Sequence, residues 1–152
     1  MRTAGIDDSA VVRRARARRL VGLYAVTPDL ADTADLVARV EAALAGGAGA
    51  IQYRSKCTDA ALRYGQAEAL ARIARERGAL FIVNDDATLC AAVGADGVHL
   101  GETDGSAAVA RAIIGPERII GISCYNDFAL AEAAVAAARA IAGRWGWSRP
   151  TA

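Results

Sequence analysis

Leu80-Phe81-Ile82-Val83-Asn84-Asp85-Asp86, followed after a short helical stretch by Gly97-Val98-His99-Leu100, decides how this chain folds. Leu80 to Val83 are all apolar, without the polar alternation of a half-exposed strand, which marks a strand buried on both faces. Asn84, Asp85 and Asp86 end that run with residues suited to turns and helix caps. Ala87 to Val93 leaves space for a short helix, and Gly97 to Leu100 then returns as a second apolar strand. Parallel neighbours need a crossover of this kind, so the stretch reads as one unit of a parallel sheet.

The same rhythm extends in both directions. Leu20–Thr27, Ala50–Tyr53 and Arg118–Ser123 are the other strand candidates, making five in all. An Asp32 cap should open a helix with Leu36, Val37, Val40 and Leu44 on one stripe, stopped by Gly46 and Gly47. A second helix, capped by Thr58, carries Leu62, Gln66, Ala69, Leu70 and Ile73 and ends before Gly78. Further helices are expected over Ser106–Ile114 and from Asp127. Five βα units fit either an open sheet of flavodoxin type or an arc of a (β/α)8 barrel. A complete barrel takes about 250 residues, against 152 here.

Composition is that of one folded domain, with 54% hydrophobic and 23% charged residues. The net charge of +1 gives no global electrostatic case for nucleic acid or for a membrane surface, and no apolar run approaches the length of a membrane span. Charge is nevertheless uneven: residues 1–19 hold six Arg and two Asp, net +4, leaving the remainder at net −3. A basic lead-in over 1–19, a partial barrel over 20–142 and a separate tail over 143–152 are therefore expected. The tail carries both tryptophans and does not read as another strand-helix unit. Cys57, Cys90 and Cys124 form no CxxC pair, which fits thiols in a reducing cytoplasm and gives no thiolate metal site.

Ligands of parallel α/β folds gather at the carboxyl ends of the strands. Gln52, Arg54 and Lys56 follow the second strand at alternate positions and offer an amide and two cations to a phosphate-bearing ligand. Asn84, Asp85 and Asp86 follow the third, and Glu102 and Asp104 the fourth, so oxygen ligands from adjacent strand ends suit Mg²⁺. Ser123 adds a hydroxyl after the fifth. Each residue alone has an ordinary reading as a cap, a turn former or a solvated charge; the combination on one rim points to phosphate chemistry.

These motifs, in order, resemble those of the thiamine phosphate synthase (thiamine-phosphate pyrophosphorylase) family. Tyr24-Ala25-Val26-Thr27, Gln52-Tyr53-Arg54-Ser55-Lys56, Val83-Asn84-Asp85, Gly94 to Gly101 with Asp104, and Gly121-Ile122-Ser123 carry the resemblance, which spans residues 20–138. It implies a TIM-type (β/α)8 barrel, here represented by about five βα units and so incomplete. It implies a transferase of thiamine biosynthesis that joins a pyrimidine diphosphate to a thiazole phosphate and releases diphosphate. By the same resemblance, Gln52, Arg54, Lys56, Asn84 and Ser123 bind the pyrimidine diphosphate, Asp85 and Asp104 hold Mg²⁺, and no side-chain nucleophile is needed. His99 falls within the motif and reads as a packed, hydrogen-bonded histidine.

Small departures occur at Tyr53, Ser55, Asp86 and Glu102. After Ala138 nothing resembles the loop and strands six to eight of the family, so lineage without turnover is the expectation for the isolated chain. Two other readings are a non-catalytic regulatory or ligand-binding relative of the same barrel and an open-sheet phosphate-binding module. Five strands in an arc have two bare edges, from which self-association and poor solubility as a monomer are expected.

Overall fold

Every strand pairs in parallel with its neighbour in sequence, giving a five-stranded sheet in the order β1-β2-β3-β4-β5. The computed structural model describes residues 8–101, 106–125 and 127–138. In chain order the elements are α1 (Asp8–Ala17), β1 (Leu23–Val26), α2 (Thr33–Ala45), β2 (Ala48–Tyr53), α3 (Ala60–Glu76), β3 (Leu80–Asn84), α4 (Ala87–Ala92), β4 (Gly97–Leu100), α5 (Ala107–Ile114), β5 (Ile119–Ile122) and α6 (Phe128–Ala138).

This strand order decides between the two architectures open to five βα units. A doubly wound sheet reverses its strand order at a switch point so that helices cover both faces. No reversal occurs here. Ile51, Tyr53, Phe81, Val83, Val98, Leu100 and Ile120 point to one face and form a continuous core with α2 to α5, through Leu36, Val40, Leu70, Ile73, Leu89 and Ile114. The opposite face carries a smaller cluster of Ala50, Leu80, Ile82 and Ile119, against which Tyr24, Ala17 and Leu20 pack. A singly wound sheet with helices on one side is an arc of a barrel, and the flavodoxin-type alternative falls.

Local sequence explains the element boundaries. Asp32, Asp86 and Ser106 accept hydrogen bonds from the first-turn N–H groups of α2, α4 and α5. Thr58 does not cap α3. Asp59 does so instead, accepting from Ala61 N and Leu62 N, since its carboxylate both reaches two amides and complements the positive end of the helix. The expected strand Leu20–Thr27 shortens to Leu23–Val26 because a turn, Leu20 N to Ala17 O at 3.0 Å, precedes it and Gly22 takes a left-handed φ of 79°. Arg118–Ser123 likewise contracts to Ile119–Ile122, whereas Ala50–Tyr53 lengthens at its start to Ala48.

The basic lead-in forms α1 and closes the amino-terminal end of the sheet. Arg13, only 7% exposed, donates to Pro116 O. Arg16 donates to Glu117 O at 3.2 Å and lies 3.7 Å from the Asp96 carboxylate, and Arg19 donates to Gly78 O at 2.9 Å. All three bind segments just before β3, β4 or β5, so these arginines tie loops together rather than forming a solvated basic face. The tail at 143–152 lies outside the described residues, as do residues 1–7.

Candidate functional site

Alternation along the strands places Tyr24, Gln52, Asn84 and His99 on the face away from the helices. Three of them join in one chain of hydrogen bonds. Tyr24 Oη contacts Gln52 Oε1 at 2.7 Å, Gln52 Nε2 contacts Asn84 Oδ1 at 2.6 Å, and Asn84 Nδ2 contacts Asp85 Oδ2 at 2.5 Å. The row crosses from β1 through β2 to the end of β3. Gln52 is 7% exposed, so its amide is a buried polar group whose satisfaction depends on these partners. Burial also pushes the Tyr24 hydroxyl well above the ordinary tyrosine range, keeping it protonated and able to donate.

Asp85 ends that row in a constrained conformation. Its φ of 64° is left-handed, a region that non-glycine residues seldom occupy and that concentrates at functional sites. Two backbone bonds hold it there: Asp85 N donates to His99 O and Asp86 N donates to Asn84 O, both at 2.8 Å. The sharp turn separates two adjacent carboxylates. Asp86 caps α4 through Leu89 N and binds Arg63 Nη2 at 2.7 Å, so its charge is committed to structure. Asp85 stays exposed at the strand end, beside a cleft of about 410 Å³ that Arg63, Thr88 and Ser106 also line.

Beyond β2 the backbone of the Arg54–Cys57 loop is fixed from β1. Buried Thr27 accepts from Arg54 N at 3.0 Å and donates to Arg54 O at 3.3 Å. Asp29 accepts from Lys56 N at 3.0 Å and from the Ser55 hydroxyl at 3.3 Å. With its backbone anchored, this loop leaves Arg54 and Lys56 as exposed cations at the carboxyl end of the sheet, where an anion can meet them.

Ser123 follows β5 and contacts His99 Nε2 at 2.8 Å, as a packed, hydrogen-bonded histidine requires. Gln52, Asn84 and Asp85 are therefore brought into direct contact, Arg54 and Lys56 stand just beyond Gln52, and Ser123 is held on the β4 side. Asp104 and Glu102 lie outside the described residues. Sequence reasoning assigned no role to Tyr24, Thr27, Asp29 or Arg63. Tyr24 and Thr27 sit within a quoted motif and Tyr24 has the inward parity, but long-range partners such as Asp29 with Lys56 leave no periodic trace.

Comparison with known proteins follows the same outline. The family model described as thiamine monophosphate synthase matches residues 23–143. The thiamine-phosphate synthase of Chromobacterium violaceum is 57% identical over 119 residues, covering 78% of this chain and 58% of that protein. That of Aromatoleum aromaticum is 55% identical over 119 residues, covering 78% and 57%. Among solved structures, the thiamine phosphate pyrophosphorylase from Pyrococcus furiosus superposes with a TM-score of 0.63 at 39% identity, covering 72% of this chain and 52% of that one. The chain thus spans about half the length of the curated relatives it matches. With five ordered strands, their site-bearing ends and a matched segment that runs from β1 past α6, the chain belongs to the thiamine monophosphate synthase family.

Proposed function

We propose that this chain carries the pyrimidine diphosphate side of a thiamine phosphate synthase site, acting in the transfer that joins a pyrimidine diphosphate to a thiazole phosphate. The observation that supports this most directly is the row from Tyr24 through Gln52 and Asn84 to Asp85, set beside the anchored cations Arg54 and Lys56. Arg54 and Lys56 bind the diphosphate and oppose the negative charge that grows on it as the carbon–oxygen bond breaks. Gln52 and Asn84 orient the ligand through amide N–H groups, and the Ser123 hydroxyl, steadied by His99, adds a further contact.

The donor chemistry suits Mg²⁺. Asp85 offers carboxylate oxygen at the exposed end of β3. A cation held by one or two carboxylates, with ligand phosphates completing its shell, is the usual arrangement for Mg²⁺. Asp85, together with Asp104 by resemblance, would hold it. When bound, Mg²⁺ supplies charge stabilisation for the departing diphosphate.

The three thiols pair in no disulfide, and we place the protein in the cytoplasm on that ground. No helix among the described residues is long and apolar enough to cross a membrane. Among the described residues β1 and β5 are the two edges of the sheet, and we propose self-association through them.

The test is thiamine phosphate formation by the purified chain from pyrimidine diphosphate, thiazole phosphate and Mg²⁺, beside Asp85→Ala. Product that disappears in the variant supports the transferase. Mg²⁺-dependent binding of pyrimidine diphosphate without product turns the reading to a non-catalytic relative. Neither binding nor product overturns it.

A further inference from the structure

The hydrogen-bond row that underlies the proposed site has a direction, and the direction follows from its chemistry. An ionised carboxylate only accepts hydrogen bonds, so the Asn84 atom facing Asp85 has to be the amide nitrogen. The Asn84 carbonyl oxygen then faces Gln52, which has to present its own nitrogen, and the Gln52 carbonyl oxygen faces Tyr24. Tyr24 then completes the row as its donor. Neither amide can flip without setting two acceptors or two donors against each other, a costly arrangement for buried polar groups.

We propose that Tyr24 is a positioning residue whose hydroxyl, acting with the Asp85 carboxylate from the opposite end, locks the Gln52 and Asn84 side-chain amides in a single orientation. The lock rests on the proposed function only for its use: each amide keeps one N–H beyond the row, which a bound anion can take. Its existence does not depend on that ligand. Tyr24 touches no reacting atom and acts through Gln52.

The chain is well suited to a direct test, because it contains only two glutamines, Gln52 and Gln66, and two asparagines, Asn84 and Asn126. Side-chain amide signals of the ¹⁵N-labelled full chain can therefore be assigned by single substitution. Gln66 serves as an internal reference, since its amide is bound to Tyr53 and to Leu30 O in a separate buried cluster. Tyr24→Phe keeps the ring and removes the donor. The expected result is a shift of the Gln52 amide signals, carried to Asn84 through the hydrogen bond that the two amides share, while Gln66 remains in place. Asp85→Asn, which removes the acid that imposes the direction, should move the same two amides from the other end and should also be felt at the Tyr24 ring.

If Tyr24→Phe leaves the Asn84 amide unchanged, the lock does not exist. Should Tyr24→Phe fail to fold, Asp85→Asn decides alone: movement at Gln52 supports the lock, and movement confined to Asn84 overturns it. Titration of the unmodified chain with Mg²⁺ and inorganic diphosphate separates the two claims. Absence of binding there, with the amide response intact, counts against the proposed function and not against the lock. Where binding is seen, Tyr24→Phe should weaken it about threefold to tenfold, the worth of one net hydrogen bond.

Discussion

A Cβ added at position 121 would lie 2.7 Å from His99 Nδ1, so the imidazole fills the space that any side chain there would need. His99 and Gly121 are register partners on β4 and β5, and the opposite ring nitrogen meets the Ser123 hydroxyl. Glycine at 121 thus leaves room for the Nδ1 edge of the ring against β5 while the opposite nitrogen reaches Ser123. Gly121→Ala should push the ring aside and destabilise the fold by about 1–3 kcal/mol, the range for overpacking in a confined site. His99→Ala should relieve that clash, so the double variant should lose less than the sum of the two single ones. Urea unfolding of the four proteins measures the coupling; strict additivity would mean that the ring does not occupy this space.

The arginines of α1 are not equivalent. Arg13 is buried and donates to Pro116 O, whereas Arg14 and Arg18 are exposed and their guanidinium groups make no hydrogen bond or ion pair among the described residues. Arg13→Ala should cost about 1.5–3 kcal/mol, the range for a hydrogen bond to a charged group. Arg14→Ala and Arg18→Ala should stay within about 0.5 kcal/mol. Thermal or urea midpoints would check this contrast. Equal, small effects at all three positions would make α1 a loosely attached arm.

How much of this was legible beforehand depended on whether the signal was local. The strand Leu80–Asn84 and the Asp32 cap are written in runs of a few residues, and they appear where the sequence puts them. Strand order is not local. Five βα units suited two architectures until the pairing of consecutive strands excluded one. In the site, Gln52, Asn84 and Asp85 could be named from motif and parity, but the contact between Gln52 and Asn84 could not, because 32 positions separate the partners. The anchoring of Arg13 leaves no local trace because 103 residues separate it from the carbonyl it binds.

Cys90 should answer to pH and to thiol reagents differently from the other two cysteines. It is fully enclosed in the core, and burial pushes its thiol up to about 12 from an ordinary 9.0. The folded state therefore holds the Cys90 proton more tightly than the unfolded state does. That contribution is complete below pH 9 and is lost as pH rises from 9 towards 12, at a slope of up to about 1.4 kcal/mol per pH unit. The buried Tyr24 hydroxyl, also raised, acts in the same sense. Alkylation at pH 8 should label the half-buried Cys57 and Cys124 first and reach Cys90 only at the rate of unfolding. Rapid labelling of all three in the folded protein would show that the core between α4 and the sheet opens readily.

The edge at β1 offers the last expectation. Val21, Leu23 and Val26 are 70%, 55% and 45% exposed, and β1 has β2 as its one neighbour in the sheet of described residues. An apolar strand with one bare hydrogen-bonding edge favours pairing with another chain. Sedimentation should therefore reveal association that grows with concentration. Leu23→Lys places a charge on that edge while leaving the inward-facing Tyr24 untouched, so it should reduce association with little change in the unfolding midpoint. If association persists unchanged in Leu23→Lys, contacts elsewhere drive it, and the exposed Phe128 and Leu130 of α6 are the next surface to charge. A monomer at all concentrations would show instead that β1 is protected within the single chain.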